Sequence, residues 1–125
     1  MLPGFLVPET VINGNGNSAE CELGEAQGKV LSLTLGILRA IEQESLDVSI
    51  WGSADKTEWG AKPLLAFPQK FYCGTYSMTL DLSAHPELQY LRVQWKSARW
   101  GRGDTKPLFG IYLFAEVRKS QVAVG

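Results

Sequence analysis

The chain has 125 residues, 45% of them hydrophobic, and its 12 basic and 13 acidic side chains leave a formal net charge of -1. That length suits one domain with a core of its own, and the charge balance excludes the general basic field on which non-specific nucleic-acid binding depends. No apolar run approaches the ~18 residues that a membrane-spanning helix needs, so neither nucleic acid nor membrane is expected as a partner.

The opening MLPGFLVPET contains Pro3, Gly4 and Pro8 and no basic residue. It lacks the charged start and unbroken apolar stretch of a secretory signal. The expectation is a protein made in the cytoplasm without a signal peptide. Residues 1–12 read as an extended N-terminal arm lying along a surface, residues 13–120 as one domain, and residues 121–125 as a short tail. Asn13 to Ser18 is a turn cluster whose Asn-Gly pairs tolerate positive φ. Ala19, Cys21 and Leu23 then alternate with Glu20 and Glu22, and Gly24 to Gly28 makes a second loop.

From Lys29 to Arg39 the odd positions Leu31, Leu33, Leu35 and Ile37 are apolar, the period of a strand with one buried face. Leu38 to Glu44 contains good helix formers, but a loop or strand extension is preferred there. Leu46, Val48 and Ile50 resume the alternation against Asp47, Ser49 and Trp51, which places Trp51 on the nominally outward face. Gly52 to Gly60 is a turn in which Asp55 and Thr57 can satisfy nearby backbone donors. Leu64 to Phe67, flanked by Pro63 and Pro68, reads as a short edge strand. Phe71 to Leu82 reads as a long strand with Tyr76, Met78, Leu80 and Leu82 on one face.

Glu87 to Val117 reads as a hairpin. Its first arm alternates Leu91, Val93 and Trp95 with polar residues. Its second is apolar on both faces, with Phe109, Ile111, Leu113 and Ala115 on one and Tyr112 and Phe114 on the other. About eight strands at this spacing predict an all-β fold, an antiparallel β-sandwich of jelly-roll type. Because antiparallel strands ordinarily keep one polar face, Tyr112 and Phe114 need a cover. Either the arm supplies it within one chain or another subunit does, and Trp51, Phe5 and Leu6 join them as expected interface residues.

The catalytic inventory is sparse. His85 is the single histidine, with no companion at ligand spacing, and the carboxylates are scattered, so no catalytic residue, metal or cofactor is expected. Cys21 and Cys73 each fall in a strand-like run and read as small buried hydrophobes. A disulfide would need their Cα atoms within about 7 Å. The loop Lys96 to Asp104 holds the richest local chemistry: Trp100 offers a stacking face, and Arg99 and Arg102 offer planar donors suited to carboxylate, phosphate or sugar hydroxyls. Trp59 is a further candidate for that site. The plainer reading packs Trp100 on the sandwich end and pairs the arginines with acidic neighbours. Arg102-Gly103-Asp104 matches an integrin-recognition tripeptide, a match that short sequences reach by chance.

Stations along the chain follow a pattern: the glycine-rich turn Asn13 to Asn17, the strand Cys21 to Gly24, the Leu-rich Val30 to Ile37, Leu46 to Trp59 with its Ser-x-Asp turn and following Trp, Tyr-Leu-Arg-Val at Tyr90 to Val93, and Pro107 to Val117. In this the chain resembles small β-sandwich proteins encoded in tailed-phage and prophage genomes and, more loosely, discoidin-like, galactose-binding-type jelly rolls. The resemblance implies a virion-associated structural or decoration role, or a carbohydrate-binding one, and no enzymatic activity. Lys56 stands where such proteins carry Gly after the Asp, and Lys96 to Lys106 is longer and more basic than their usual connection. The resulting expectation is a non-catalytic interaction protein, homo-oligomeric or part of a larger assembly. The alternative is a glycan-binding module using the loop 96–106.

Overall fold

A computed structural model describes residues 2–100 and 106–118. Nine strands follow one another: β1 (Gly4–Ile12), β2 (Gly16–Asn17), β3 (Cys21–Glu22), β4 (Val30–Ala40), β5 (Glu44–Ser53), β6 (Leu65–Ala66), β7 (Gly74–Asp81), β8 (Tyr90–Arg99) and β9 (Phe109–Val117). They form two antiparallel sheets. One has the order β1-β9-β4-β7; the other has the order β2-β8-β5-β6, with β3 also paired to β8. The chain is thus the expected all-β sandwich, with nine strands in place of about eight because β2 forms inside the Asn-Gly turn cluster.

The alternation seen in the sequence sets the core. Leu31, Leu33, Leu35 and Ile37 of β4 and Phe109, Ile111, Leu113 and Ala115 of β9 face Leu46, Val48 and Ile50 of β5 and Leu91 and Val93 of β8, each at most 2% exposed. Each of the larger side chains contributes about 1.5–3 kcal/mol by leaving water.

The expected hairpin between the last two long strands does not form. β8 pairs along its whole length with β5, from Glu44↔Arg99 to Ser53↔Tyr90, whereas β9 lies between β1 and β4 in the other sheet. Alternation reveals that a strand has a buried face but not which neighbour it hydrogen-bonds. Here both strands turn their buried faces to the shared core from opposite sides. The step from β4 to β5 likewise crosses between sheets, in the manner of a jelly roll.

Both crossings are tied by one side chain. Glu44, 1% exposed, accepts the Ile41 N–H on Oε2 at 2.7 Å and the Leu108 N–H on Oε1 at 2.7 Å. The turn between β4 and β5 uses Gln43 at φ 58°, and the Gln43 carbonyl accepts the Trp100 N–H at 2.8 Å.

The N-terminal arm is itself a strand, β1, antiparallel to β9. Register shifts between Phe5 and Val7 and between Val7 and Thr10 place the consecutive Leu6 and Val7 both in the core. Leu6 is only 6% exposed, so it is a core residue and not the interface residue expected of the apolar arm; the bulge lets two consecutive side chains point inward. Cys73 is exposed and precedes β7, contrary to the buried strand position expected for it; Cys21 is half-buried in β3, and both thiols are free. The 121–125 tail lies outside the described residues.

Candidate functional site

Among the described residues three aromatic clusters lie on the surface, and they divide the residues expected to act together. The first is on the outer face of the β1-β9-β4-β7 sheet. The register aligns Phe5 with Phe114 and Phe114 with Thr34, and sets Tyr112 beside Gly36. Phe5 meets the Tyr112 ring edge-on, with centroids 5.9 Å apart at 83°, and the Phe114 ring at 5.1 Å and 69°, the geometry that aromatic quadrupoles favour. Phe5, Glu9, Thr34, Tyr112 and Phe114 line a shallow groove of about 360 Å³. Phe5 covers part of Tyr112 and Phe114 from within the chain, yet remains 56% exposed itself. Phe5, Tyr112 and Phe114 are therefore brought together as expected.

Trp51 is not with them. It sits on the outer face of the other sheet, opposite Arg92 in the register, and its indole Nε1–H donates to Ser49 Oγ at 2.9 Å. There it belongs to a second cluster built by the turn after β5. Ser53 Oγ accepts the N–H groups of Asp55 and Lys56 at 3.1 and 2.9 Å, and Asp55 Oδ1 accepts those of Thr57 and Glu58 at 2.9 and 3.0 Å and the Ser53 hydroxyl at 3.1 Å. These donors, the Glu58 and Thr57 amides foremost, hold the Asp55 carboxyl well below the usual carboxylate range.

Lys56 adopts φ 70° without a glycine. The left-handed conformation costs roughly 1–2 kcal/mol, and the Ser53 and Asp55 bonds offset it. Folded this way, the turn lays the Lys56 ammonium 4.9 Å from the Tyr90 ring centroid and Trp59 against the Arg92 guanidinium at 4.4 Å. The Trp59 indole N–H donates to the Lys56 carbonyl at 3.0 Å. Arg92 Nε is buried there with no hydrogen-bond partner. The pairing of Trp59 with Arg92 was not legible in the sequence, because it depends on a left-handed turn at a lysine.

The third cluster contains Trp100. It lies 6.3 Å from Phe71, which is 6.4 Å from Tyr72, and Trp100 and Tyr72 are 50% and 77% exposed. Arg99 donates Nε–H to the Glu42 carbonyl at 3.2 Å. Phe71 and Tyr72 were read as the start of a strand; β7 begins only at Gly74, which frees both rings. The signal for this was the adjacent aromatic pair, which breaks strand alternation. Arg102 lies outside the described residues. Trp59, near the other end of β8, is separated from Trp100 by roughly 26 Å of strand at about 3.3 Å per residue, so the two tryptophans do not share a site.

A further cleft of about 570 Å³ opens between β1 and the β2–β3 side, lined by Thr10, Ser18, Glu20, Glu22 and Trp95 among others. Among the described residues no three His, Cys, Asp or Glu side chains gather to hold a metal ion, and no helix is long and apolar enough to cross a membrane. No protein-family model matches the chain, and no curated protein matches it.

Proposed function

We propose that the protein is a non-catalytic interaction module, an accessory or surface component of a larger assembly such as a phage particle, docking on protein partners through the outer face of the β1-β9-β4-β7 sheet. The observation that carries this reading is the edge-to-face cluster of Phe5, Tyr112 and Phe114 on that face, with Phe5 more than half exposed. Aromatic side chains are enriched at interfaces because they bury large rigid areas at low entropic cost. The phage setting rests on the sequence resemblance. The non-catalytic reading rests on a single histidine and dispersed carboxylates.

The test is co-sedimentation of the purified chain with virions of the phage or prophage that encodes it. Wild type and Trp100→Ala are expected to sediment with the particles, and Phe5→Asp is expected to remain in solution. Absence from virions removes the phage setting; retention of Phe5→Asp removes this face.

A second reading, glycan binding, is favoured by the open rings of Trp100, Phe71 and Tyr72 beside Arg99. Pyranose rings stack on such faces, and the guanidinium can donate to hydroxyls. Glycan-array binding lost in both Trp100→Ala and Phe71→Ala would support it, and binding that survives both would remove it. Trp59 takes no part in this site.

A further inference from the structure

Sheet edges are where the backbone has hydrogen bonds left to make, and most edges of this sandwich are blunted. β1 carries Pro8 and two register shifts, and β2, β3 and β6 are two residues long. β7 has none of these devices. Its eight residues pair with β4 in one unbroken register, from Val30↔Asp81 to Ile37↔Gly74, and Gly74 to Leu80 contains neither proline nor charge.

The phase of the open edge is fixed. The Leu82 N–H donates to the Lys29 carbonyl at 3.0 Å, so in an antiparallel ladder the even-numbered residues of β7 aim their amides and carbonyls at β4. Thr75, Ser77 and Thr79 aim theirs outward. All three are exposed, and among the described residues no strand pairs with this edge.

We propose that a second copy of this chain occupies this edge, β7 against β7, antiparallel and centred on Ser77. That register is self-complementary. Ser77 meets Ser77, and Thr75 of each copy meets Thr79 of the other, so three pairs exchange about six backbone hydrogen bonds. On the outer face the threonine hydroxyls stand opposite one another, a favourable cross-strand pair. On the inner face Tyr76 of one copy stands beside Met78 of the other, a sulfur–aromatic contact, and both side chains are half-buried in the single chain. Asp81 falls opposite Cys73, so no like charges face each other.

The two-fold axis of such a pair is perpendicular to the sheet. The result is one continuous sheet, β1-β9-β4-β7-β7-β4-β9-β1, with both Phe5 faces on the same side. The contact is independent of the proposed partner face and goes beyond it. Being mostly backbone, it falls below the roughly 1,200 Å² of a standard interface, so association is concentration-dependent.

Light scattering and sedimentation equilibrium on the full chain test the pairing. Apparent mass is expected to rise from 13.8 kDa toward twice that value by a protein concentration of about 1 mM. Ser77→Lys, which sets like charges across the axis, is expected to weaken the dimer at least tenfold. Its unfolding midpoint is expected to be unchanged, because the side chain points to solvent. In a Cys21→Ser, Cys73→Ser background, Ser77→Cys is expected to cross-link on oxidation, since facing Cα atoms lie about 5.5 Å apart. Thr10→Cys on β1 is not expected to. A constant monomer mass overturns the proposal, as does association indifferent to Ser77→Lys, or cross-linking at Thr10 and not at Ser77. Association abolished by Phe5→Asp but untouched by Ser77→Lys assigns self-contact to the aromatic face instead.

Discussion

The ring of Tyr112 fills the space that a side chain at Gly36 would take. The two residues face each other across β9 and β4, and ring atoms Cδ2, Cε2 and Cζ crowd the position of a Cβ at Gly36. Gly36→Ala is therefore expected to push Tyr112 off its seat and cost about 1–3 kcal/mol, the range for overpacking. In Tyr112→Ala the same glycine change is expected to cost much less. Urea unfolding of the two single variants and the double variant checks this; additive losses would refute the coupling.

Glu44 is expected to be among the most sensitive polar positions. Glu44→Ala strips two backbone amides, at Ile41 and Leu108, of their acceptor. A fully buried donor left unpaired costs about 1–3 kcal/mol; both of these bonds are only partly buried, so the loss for the two together is expected toward the low end, about 2–4 kcal/mol. Glu44→Gln retains one acceptor but turns an amide donor toward the other N–H, so it is expected to be intermediate. Equilibrium unfolding of both variants gives the comparison, and a Glu44→Ala protein as stable as wild type would contradict the role.

Acid stability is expected to depend on two surface carboxylates. Hydrogen bonds from the Glu58 and Thr57 amides, and then from the Thr57 and Ser53 side chains, lower the Asp55 pKa below its ordinary 3.8. The Ser83 hydroxyl and amide lower that of Asp81. A carboxyl with a depressed folded-state pKa adds stability that is complete above the unfolded value and is lost as pH falls through the folded one. The loss therefore begins near pH 3.8 and deepens below it. Asp55→Asn is expected to flatten this acid limb in unfolding midpoints measured from about pH 6 to pH 2, with little slope change nearer neutrality. An unchanged acid limb in both Asp55→Asn and Asp81→Asn would rule it out.

Arg92 combines a favourable contact with an unfavourable one: its guanidinium rests on Trp59 while its Nε is buried without a partner. Arg92→Met keeps the apolar stem and removes the unpaired donor, so its stability is expected within about 0.5 kcal/mol of wild type. Arg92→Ala loses the packing as well and is expected to cost about 1 kcal/mol. Tryptophan emission should shift to the red more in Arg92→Ala than in Arg92→Met as Trp59 gains water.

The residues that face the core were legible in the sequence, because burial on one side of a strand is written locally as alternation, as in Leu31, Leu33, Leu35 and Ile37. The partners of each strand were not. Pairings such as Asp47↔Lys96 and Leu33↔Ala115 join distant segments, and the strong patterns of β8 and β9 fit a hairpin as well as they fit opposite sheets. The aromatic face was legible in part. Tyr112 and Phe114 stood out because their strand is apolar on both sides, but the apolar arm did not show which of its side chains turns outward: a register shift between Phe5 and Val7 sends Leu6 and Val7 both into the core and leaves Phe5 outside. The third cluster was half visible: Trp100 was evident from its loop, whereas Phe71 and Tyr72 were hidden by a strand start placed three residues too early.

The placement of β9 also sets an order of events during synthesis. Among the described residues β1, the earliest of the nine strands, pairs with β9, the latest of them, and with no other strand. β4 likewise waits for β9 on one side. While the ribosome is still making residues before Phe109, β1 has no ladder to join, and Glu44 cannot receive the Leu108 amide that ties the second crossing. The β5–β8 half can assemble first, but its apolar inner face stays uncovered by β9 until that strand has been made. Chains truncated within β9 are thus expected to be clients of chaperones and proteases, and insertions next to β9 are expected to be tolerated only where that strand is left free to join β1 and β4.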